Sequence, residues 1–230
     1  MKTIGIIGGM SWESTQTYYR LINQKVREQL GGLHSAKVIL YSVDFAEIEP
    51  LQHAGDWAGT ADILAEAAQA LETAGADFIV LATNTMHKVS PEIELAVNIP
   101  LLHIADATAA ALQADNITTV GLLGTKFTME QDFYRDRLES HGICVVVPEI
   151  RERNRIHEVI FKELCLGKTE PQSKADYLNI INKLAEYGAD AIILGCTEIG
   201  LLIDQADTSI KLYDTTEIHA DQAVKFALGK

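Results

Sequence analysis

The strongest constraint in this 230-residue sequence is that its second half weakly repeats its first. Thr3-Ile4-Gly5-Ile6-Ile7-Gly8 is matched by Thr119-Val120-Gly121-Leu122-Leu123-Gly124, with Gly5 and Gly121 standing 116 positions apart (121 − 5). The segment from Gly75 to Thr85 is matched by that from Gly188 to Glu198, with Asp77 and Asp190 113 positions apart (190 − 77). A repeat at half the chain length predicts a duplicated α/β lobe whose equivalent strand ends face each other across a cleft. Thr83 and Cys196 then hold equivalent places.

Short β-branched runs alternate with longer amphipathic stretches, the pattern of parallel βα units. Strands are predicted near 3–7, 37–42, 77–82 and 99–103 in the first half, and near 118–123, 143–147, 190–194 and 210–213 in the second. Helices are predicted near 14–30, 58–74, 90–97, 105–114, 128–141, 151–166, 173–187 and 215–228. Ser11 or Ser14 caps the first helix and Gly31-Gly32 ends it. The fold class is therefore α/β, with two pseudo-symmetric lobes, each a four-stranded mainly parallel sheet flanked by helices. The predicted N-terminal lobe is residues 1–99 plus about 207–230, with the C-terminal lobe at 100–206, because the last helix is expected to return to the first lobe. No Pro/Gly/Ser-rich tether separates the halves.

Composition narrows the partners. A net charge of −13 argues against nucleic acid and anionic membranes, which require clustered cations. The opening apolar run is short and broken by Gly5, so it reads as a strand rather than a signal segment, and no run is long enough to cross a bilayer. Cys144, Cys165 and Cys196 show no CxxC pairing and no metal-ligand spacing with histidines; they read as reduced thiols of a cytoplasmic protein. Cys144, inside an apolar run, is expected in the core, and Cys165 is expected to be structural.

Ligands of open parallel sheets bind beyond the carboxyl ends of the strands. The residues there are Gly8-Gly9-Met10-Ser11, Asp44, Thr83-Asn84-Thr85, Gly124-Thr125-Lys126, Cys196-Thr197-Glu198 and Asp214-Thr215-Thr216, a set of hydroxyl, amide and backbone donors suited to a carboxylate. Gly5-x-x-Gly8-Gly9 has neither the dinucleotide spacing nor a P-loop lysine. It reads equally as a tight turn or as a carboxylate cradle that would include Met10. Cys196 is either a small buried hydrophobe or a thiol whose pKa is lowered by the helix start that follows it. His87 orients a ligand or caps a helix. Glu198 accepts backbone N–H groups or tunes Cys196.

Three ordered motifs, Gly8-Gly9-Met10-Ser11-Trp12-Glu13-Ser14-Thr15, Thr83-Asn84-Thr85-Met86-His87 and Leu194-Gly195-Cys196-Thr197-Glu198, resemble those of the cofactor-independent aspartate/glutamate racemase family. The similarity is greater to its aspartate-racemase and broad-specificity amino-acid racemase branch. Glutamate racemases of cell-wall synthesis open instead with an Asp-Ser-Gly turn and carry Cys-Thr-His. The resemblance implies two lobes with the active site in the cleft between them, no cofactor and no pyridoxal phosphate, and one acid/base group from each lobe on opposite faces of the substrate's α-carbon. Inversion at carbon needs a base and an acid on opposite faces, which a pseudo-twofold pair supplies. It assigns the second-lobe thiol, here Cys196, to the L-enantiomer. The first-lobe cysteine is replaced by Thr83, whose hydroxyl is too weak an acid to serve as a resting alkoxide, so Thr83 is expected to return or relay a proton.

Asn84, Thr85, Thr125 and Thr197 are the expected donors to the substrate carboxylate. Aspartate-specific relatives resemble one another in an Arg after the second strand and a Lys in a later loop. Gln52 takes the place of the first here, and Lys168 stands at the second, which loosens selection for a dicarboxylate. The implied activity is racemisation of L-glutamate- or L-aspartate-like amino acids by 1,1-proton transfer, with no metal, and homodimers are frequent in such a family. A single-thiol decarboxylase of malonate-type substrates and a non-catalytic amino-acid-binding protein are the alternatives.

Overall fold

In the computed structural model, which describes residues 1–230, the chain forms two compact units: Met1–His103 with His219–Lys230, and Ile104–Ile218. The first contains β1 (Ile4–Gly8), α1 (Trp12–Leu30), β2 (Val38–Ser42), α2 (Phe45–Ala54), α3 (Trp57–Thr73), β3 (Phe78–Leu81), a 3-10 turn at Thr85–Val89, α4 (Ser90–Ala96) and β4 (Leu101–Leu102). The second contains α5 (Ile104–Ala114), β5 (Thr119–Gly124), α6 (Lys126–Glu130), α7 (Asp132–Ser140), β6 (Cys144–Val146), α8 (Ile150–Lys162), α9 (Pro171–Glu186), β7 (Ala191–Gly195) and β8 (Lys211–Asp214). The last helix, α10 (Thr215–Leu228), starts in the second unit and passes into the first at His219.

The sheet orders are β2-β1-β3-β4 and β6-β5-β7-β8, with every pairing parallel. The two orders are the same path traced twice, so β1 corresponds to β5 and β3 to β7. β1 is buried along its length and β5 from Val120 onward because helices cover both faces, which explains their apolar runs. The period of two still decides which core each side chain enters. Ile4 and Ile6 pack with Tyr18 and Ile22 of α1 and with Ala223 and Val224 of α10, whereas Ile7 packs with Leu64 and Leu71 of α3. Full burial of such an isoleucine contributes roughly 1.5–3 kcal/mol.

Local chemistry places the helices. Ser11 accepts the Ser14 N–H at the start of α1, and Gly31, in a positive-φ conformation, ends it. The segment before α3 is read from the sequence as the loop after the second strand, yet it forms α2, with Pro50 inside the helix. Asp44 caps it by accepting from Ala46 N–H, and Ile48 and Gln52, four residues apart, bury one face. The single helix predicted over 128–141 is two, α6 and α7, divided where Gln131 is extended. Cys144 is exposed on the edge strand β6 rather than in the core, since side chains on an edge strand alternate between cover and solvent. β8 pairs with β7, so residues 207–218 remain in the second unit. No helix is long and apolar enough to cross a membrane.

Candidate active site

In the first unit, the residues past β1 and β3 are tied together by α1. Gly9 has a φ of 96°, and a Cβ there would lie 2.1 Å from the Val43 carbonyl oxygen, so only glycine fits the turn. Its N–H donates to Thr15 Oγ1 at 2.8 Å, and Thr15 Oγ1 in turn donates to the Ser11 carbonyl at 2.9 Å. The Gly8-Gly9 segment is thus a strand-to-helix turn whose N–H is engaged inside the protein. Met10 is buried in the same apolar core as Met86.

Thr83 lies two residues beyond β3 and is buried with Asn84 and Thr85. The two carbonyls that follow the strand are each held by a side chain. Ser14 Oγ donates to Ala82 O at 3.3 Å, and His87 Nδ1 lies 2.7 Å from Thr83 O. Gln52 is buried too, and its Nε2 donates to Met86 Sδ at 2.8 Å. The structure therefore gathers Met10, Gln52, Thr83, Asn84 and Thr85 at the carboxyl-end region of the first sheet.

In the second unit, Gly124 and Gly195 are register partners at the ends of β5 and β7. A Cβ on Gly124 would come within 2.9 Å of Gly195 O, so the two chains close in at the point where Thr125 and Cys196 emerge. Thr125 caps α6, its Oγ1 accepting from Thr128 N–H at 3.3 Å.

Cys196 immediately follows β7 and is buried, with 8% exposure. Its Sγ donates to Glu198 Oε2 at 3.0 Å, and Thr197 Oγ1 donates to the same oxygen at 2.7 Å. The sequence leads to the expectation of a helix start that lowers the thiol's pKa. Instead a three-residue 3-10 turn, Ile199–Leu201, follows, too short for an appreciable dipole. Burial first, and then the Glu198 charge and Cys165, push the Cys196 thiol well above its usual range. At rest the sulfur is a protonated donor to a carboxylate. Lys168 is exposed beyond the turn after α8, its N–H donating to Glu163 O at 2.9 Å.

Of the two readings of Glu198, the structure shows the contact with Cys196. One feature was not evident from sequence. His103 and His219 join His87 in a buried imidazole cluster, with ring centroids of His87 lying 4.5 Å from His103 and 5.9 Å from His219. No sequence pattern links these three positions. No group of side chains has the arrangement of a metal site.

Two parallel α/β units, each with a buried small polar or thiol residue just beyond its third strand, make up the α/β fold also seen in a glutamate racemase from Francisella tularensis. The Asp/Glu/hydantoin racemase family model matches residues 7–223, and the chain belongs to that family, which places it among the isomerases. It is 26% identical to the broad-specificity amino-acid racemase RacX of Bacillus subtilis, over 98% of each chain. Among solved structures it is similar to a putative Asp/Glu racemase from Yersinia pestis, with 55% identity, a TM-score of 0.92, and coverage of 99% of this chain and 100% of the other. An aspartate racemase homologue from Pyrococcus horikoshii shows 40% identity, a TM-score of 0.87 and the same coverage.

Proposed function

We propose that the protein racemises L-glutamate- and L-aspartate-like amino acids by 1,1-proton transfer without a cofactor, with Cys196 as the α-proton base and Thr83 serving the opposite face. The observation that carries this reading is the buried Cys196 thiol donating to Glu198 at the carboxyl end of β7. A thiol in that position already has an acceptor for its proton, which is what a sulfur held protonated at rest needs before it can act as a base. The names borne by its relatives, a broad-specificity amino-acid racemase and an aspartate racemase homologue, support an amino-acid substrate.

In this mechanism Glu198 takes the thiol proton as the substrate's ammonium group brings positive charge to the site and favours the thiolate. The thiolate removes the α-proton of the L-substrate. Asn84, Thr85 and Thr125 stabilise the carboxylate of the resulting carbanion, together with the backbone N–H of Thr197, whose hydroxyl hydrogen goes to Glu198. Thr83, through its hydroxyl and a water, returns a proton to the other face and recovers one from solvent, while Glu198 releases to solvent the proton it took from the thiol, which restores the resting state. Because only Cys196 has a proton acceptor of its own, L-substrates are turned over faster than D-substrates. Lys168 and Gln52 recognise the distal group.

The test is α-proton exchange by NMR in deuterated buffer, comparing L- and D-forms of glutamate and aspartate for the intact protein and Cys196→Ser. Exchange of the L-forms that disappears in the variant is the expected result. Absence of exchange with every amino acid would end the racemase reading, and faster exchange of the D-forms would reverse the assignment of Cys196. Activity on L-homoserine equal to that on L-glutamate, with no effect of Lys168→Ala, would remove the preference for an acidic substrate.

A further inference from the structure

Directly behind Thr83, the first unit buries three imidazoles from separate parts of its chain. His87 comes from the 3-10 turn after β3, His103 follows β4, and His219 lies on α10; none is more than 6% exposed. A carbonyl oxygen only accepts, and His87 faces two of them, Thr83 O at 2.7 Å from Nδ1 and Leu102 O; because Leu102 O already accepts from His219 Nε2–H, the His87 hydrogen is placed on Nδ1, toward Thr83 O. His219 is fixed by the same logic. Its Nε2–H donates to Leu102 O at 2.8 Å, and its Nδ1 accepts from the Tyr18 hydroxyl of α1 at 2.9 Å.

We propose that His87 is a positioning residue for Thr83, holding its carbonyl through Nδ1–H so that the threonine hydroxyl meets the proton-return face of the substrate. This rests on the racemase reading above. The geometry is that of a clamp. The strand ends at Leu81, the next two carbonyls are held by Ser14 and His87, and the His87 N–H closes the turn by donating to Asn84 O at 3.1 Å. The His103 ring packs edge-on against the His87 ring, which fixes the plane of the donor. The ionisable groups acting on His87 are His103 and His219, with Tyr18 behind His219. Burial first, then those two imidazoles, hold His87 well below the usual imidazole range against the opposing hydrogen bonds to Thr83 O and Leu102 O, so the ring is neutral, and the 2.7 Å contact carries its Nδ1–H to Thr83 O. Reacting groups displaced by about 1 Å lose on the order of a hundredfold in rate, so loosening this clamp acts on chemistry rather than on stability alone.

The two half-reactions separate the idea from general damage. Loss of the clamp impairs proton return by Thr83 and leaves proton removal by Cys196 in place. In His87→Phe, conversion of L-glutamate to D-glutamate is expected to fall at least tenfold while α-proton exchange of L-glutamate stays within twofold of the intact protein. His87→Asn, whose amide N–H sits where Nδ1–H does, is expected to restore the ratio of conversion to exchange to within threefold. Backbone amide exchange over residues 83–87, read by mass spectrometry, should quicken in the phenylalanine variant and return to normal in the asparagine variant. His87→Leu serves as the apolar replacement if phenylalanine does not fold. Equal loss of conversion and exchange, or no restoration by asparagine, would overturn the proposal. If the intact protein exchanges no amino-acid α-proton, the racemase reading has failed by itself, and unchanged amide exchange in the apolar variant would then sink the His87–Thr83 link separately.

Discussion

Acid should unfold the first unit early, and His219 sets the scale. The ring is buried, and burial lowers its pKa from 6.5 to about 4, against the opposing effect of its hydrogen bond to Leu102 O. A base whose pKa is depressed by folding stabilises the native state fully above its unfolded value and loses that contribution as pH falls through the folded value. With about 1.4 kcal/mol per pH unit, the whole effect is about 3 kcal/mol, of which about 2 kcal/mol is gone by pH 5. That is a large share of an ordinary domain's stability of about 5–15 kcal/mol. Both tryptophans, Trp12 and Trp57, lie in the first unit, so fluorescence during urea unfolding reports on it alone. The informative comparison is with His219→Gln, whose amide can accept from Tyr18 and donate to Leu102 without taking up a proton. Between about pH 7 and 5 the intact protein should lose about 2 kcal/mol more than this variant. An identical pH dependence in the two proteins would refute the assignment of acid lability to the imidazole cluster.

In Glu198→Gln the thiol should ionise more easily, because the carboxylate is the next cause after burial of its raised pKa. Alkylation of Cys196 by iodoacetamide at mildly alkaline pH should therefore quicken relative to exposed Cys144, while L-glutamate exchange slows; slower or unchanged labelling would contradict the electrostatics. Gly9→Ala forces a side chain into a left-handed turn with Val43 O only 2.1 Å away, and should cost about 2–4 kcal/mol in urea unfolding. A loss below about 0.5 kcal/mol would mean the turn relaxes freely. Arg137 binds Asp106 through two hydrogen bonds of 2.7 Å, yet both side chains are more than a third exposed, so Arg137→Met should cost no more than about 1 kcal/mol by the same measurement.

Much of the fold is legible from residue patterns because periodicity and capping act over a few neighbours. The Ser11 cap, the Gly31 stop and the apolar runs of β1, β3, β5 and β7 locate themselves in this way. Helix α2 does not, since Pro50 disfavours it locally and the burial of Ile48 and Gln52 decides in its favour. The exposure of Cys144 likewise depends on β6 being an edge, a property of strand order that no local run encodes. In each unit, the motifs around Thr83 and Cys196 are visible as residues beyond strand ends. The electrostatic state of Cys196 is not, because it depends on where the Glu198 carboxylate turns back.

The sequence by itself determined the duplication, the parallel βα plan, and the positions of a threonine and a cysteine at equivalent strand ends. Repeat spacing and strand-end chemistry are properties of the chain's order alone. Only tertiary structure decided that the Cys196 thiol is raised and shared with Glu198, that Gly9's N–H is already engaged, and that His87, His103 and His219 meet behind Thr83. Those outcomes arise from desolvation and from contacts between distant segments, and both come into being only when the chain has packed.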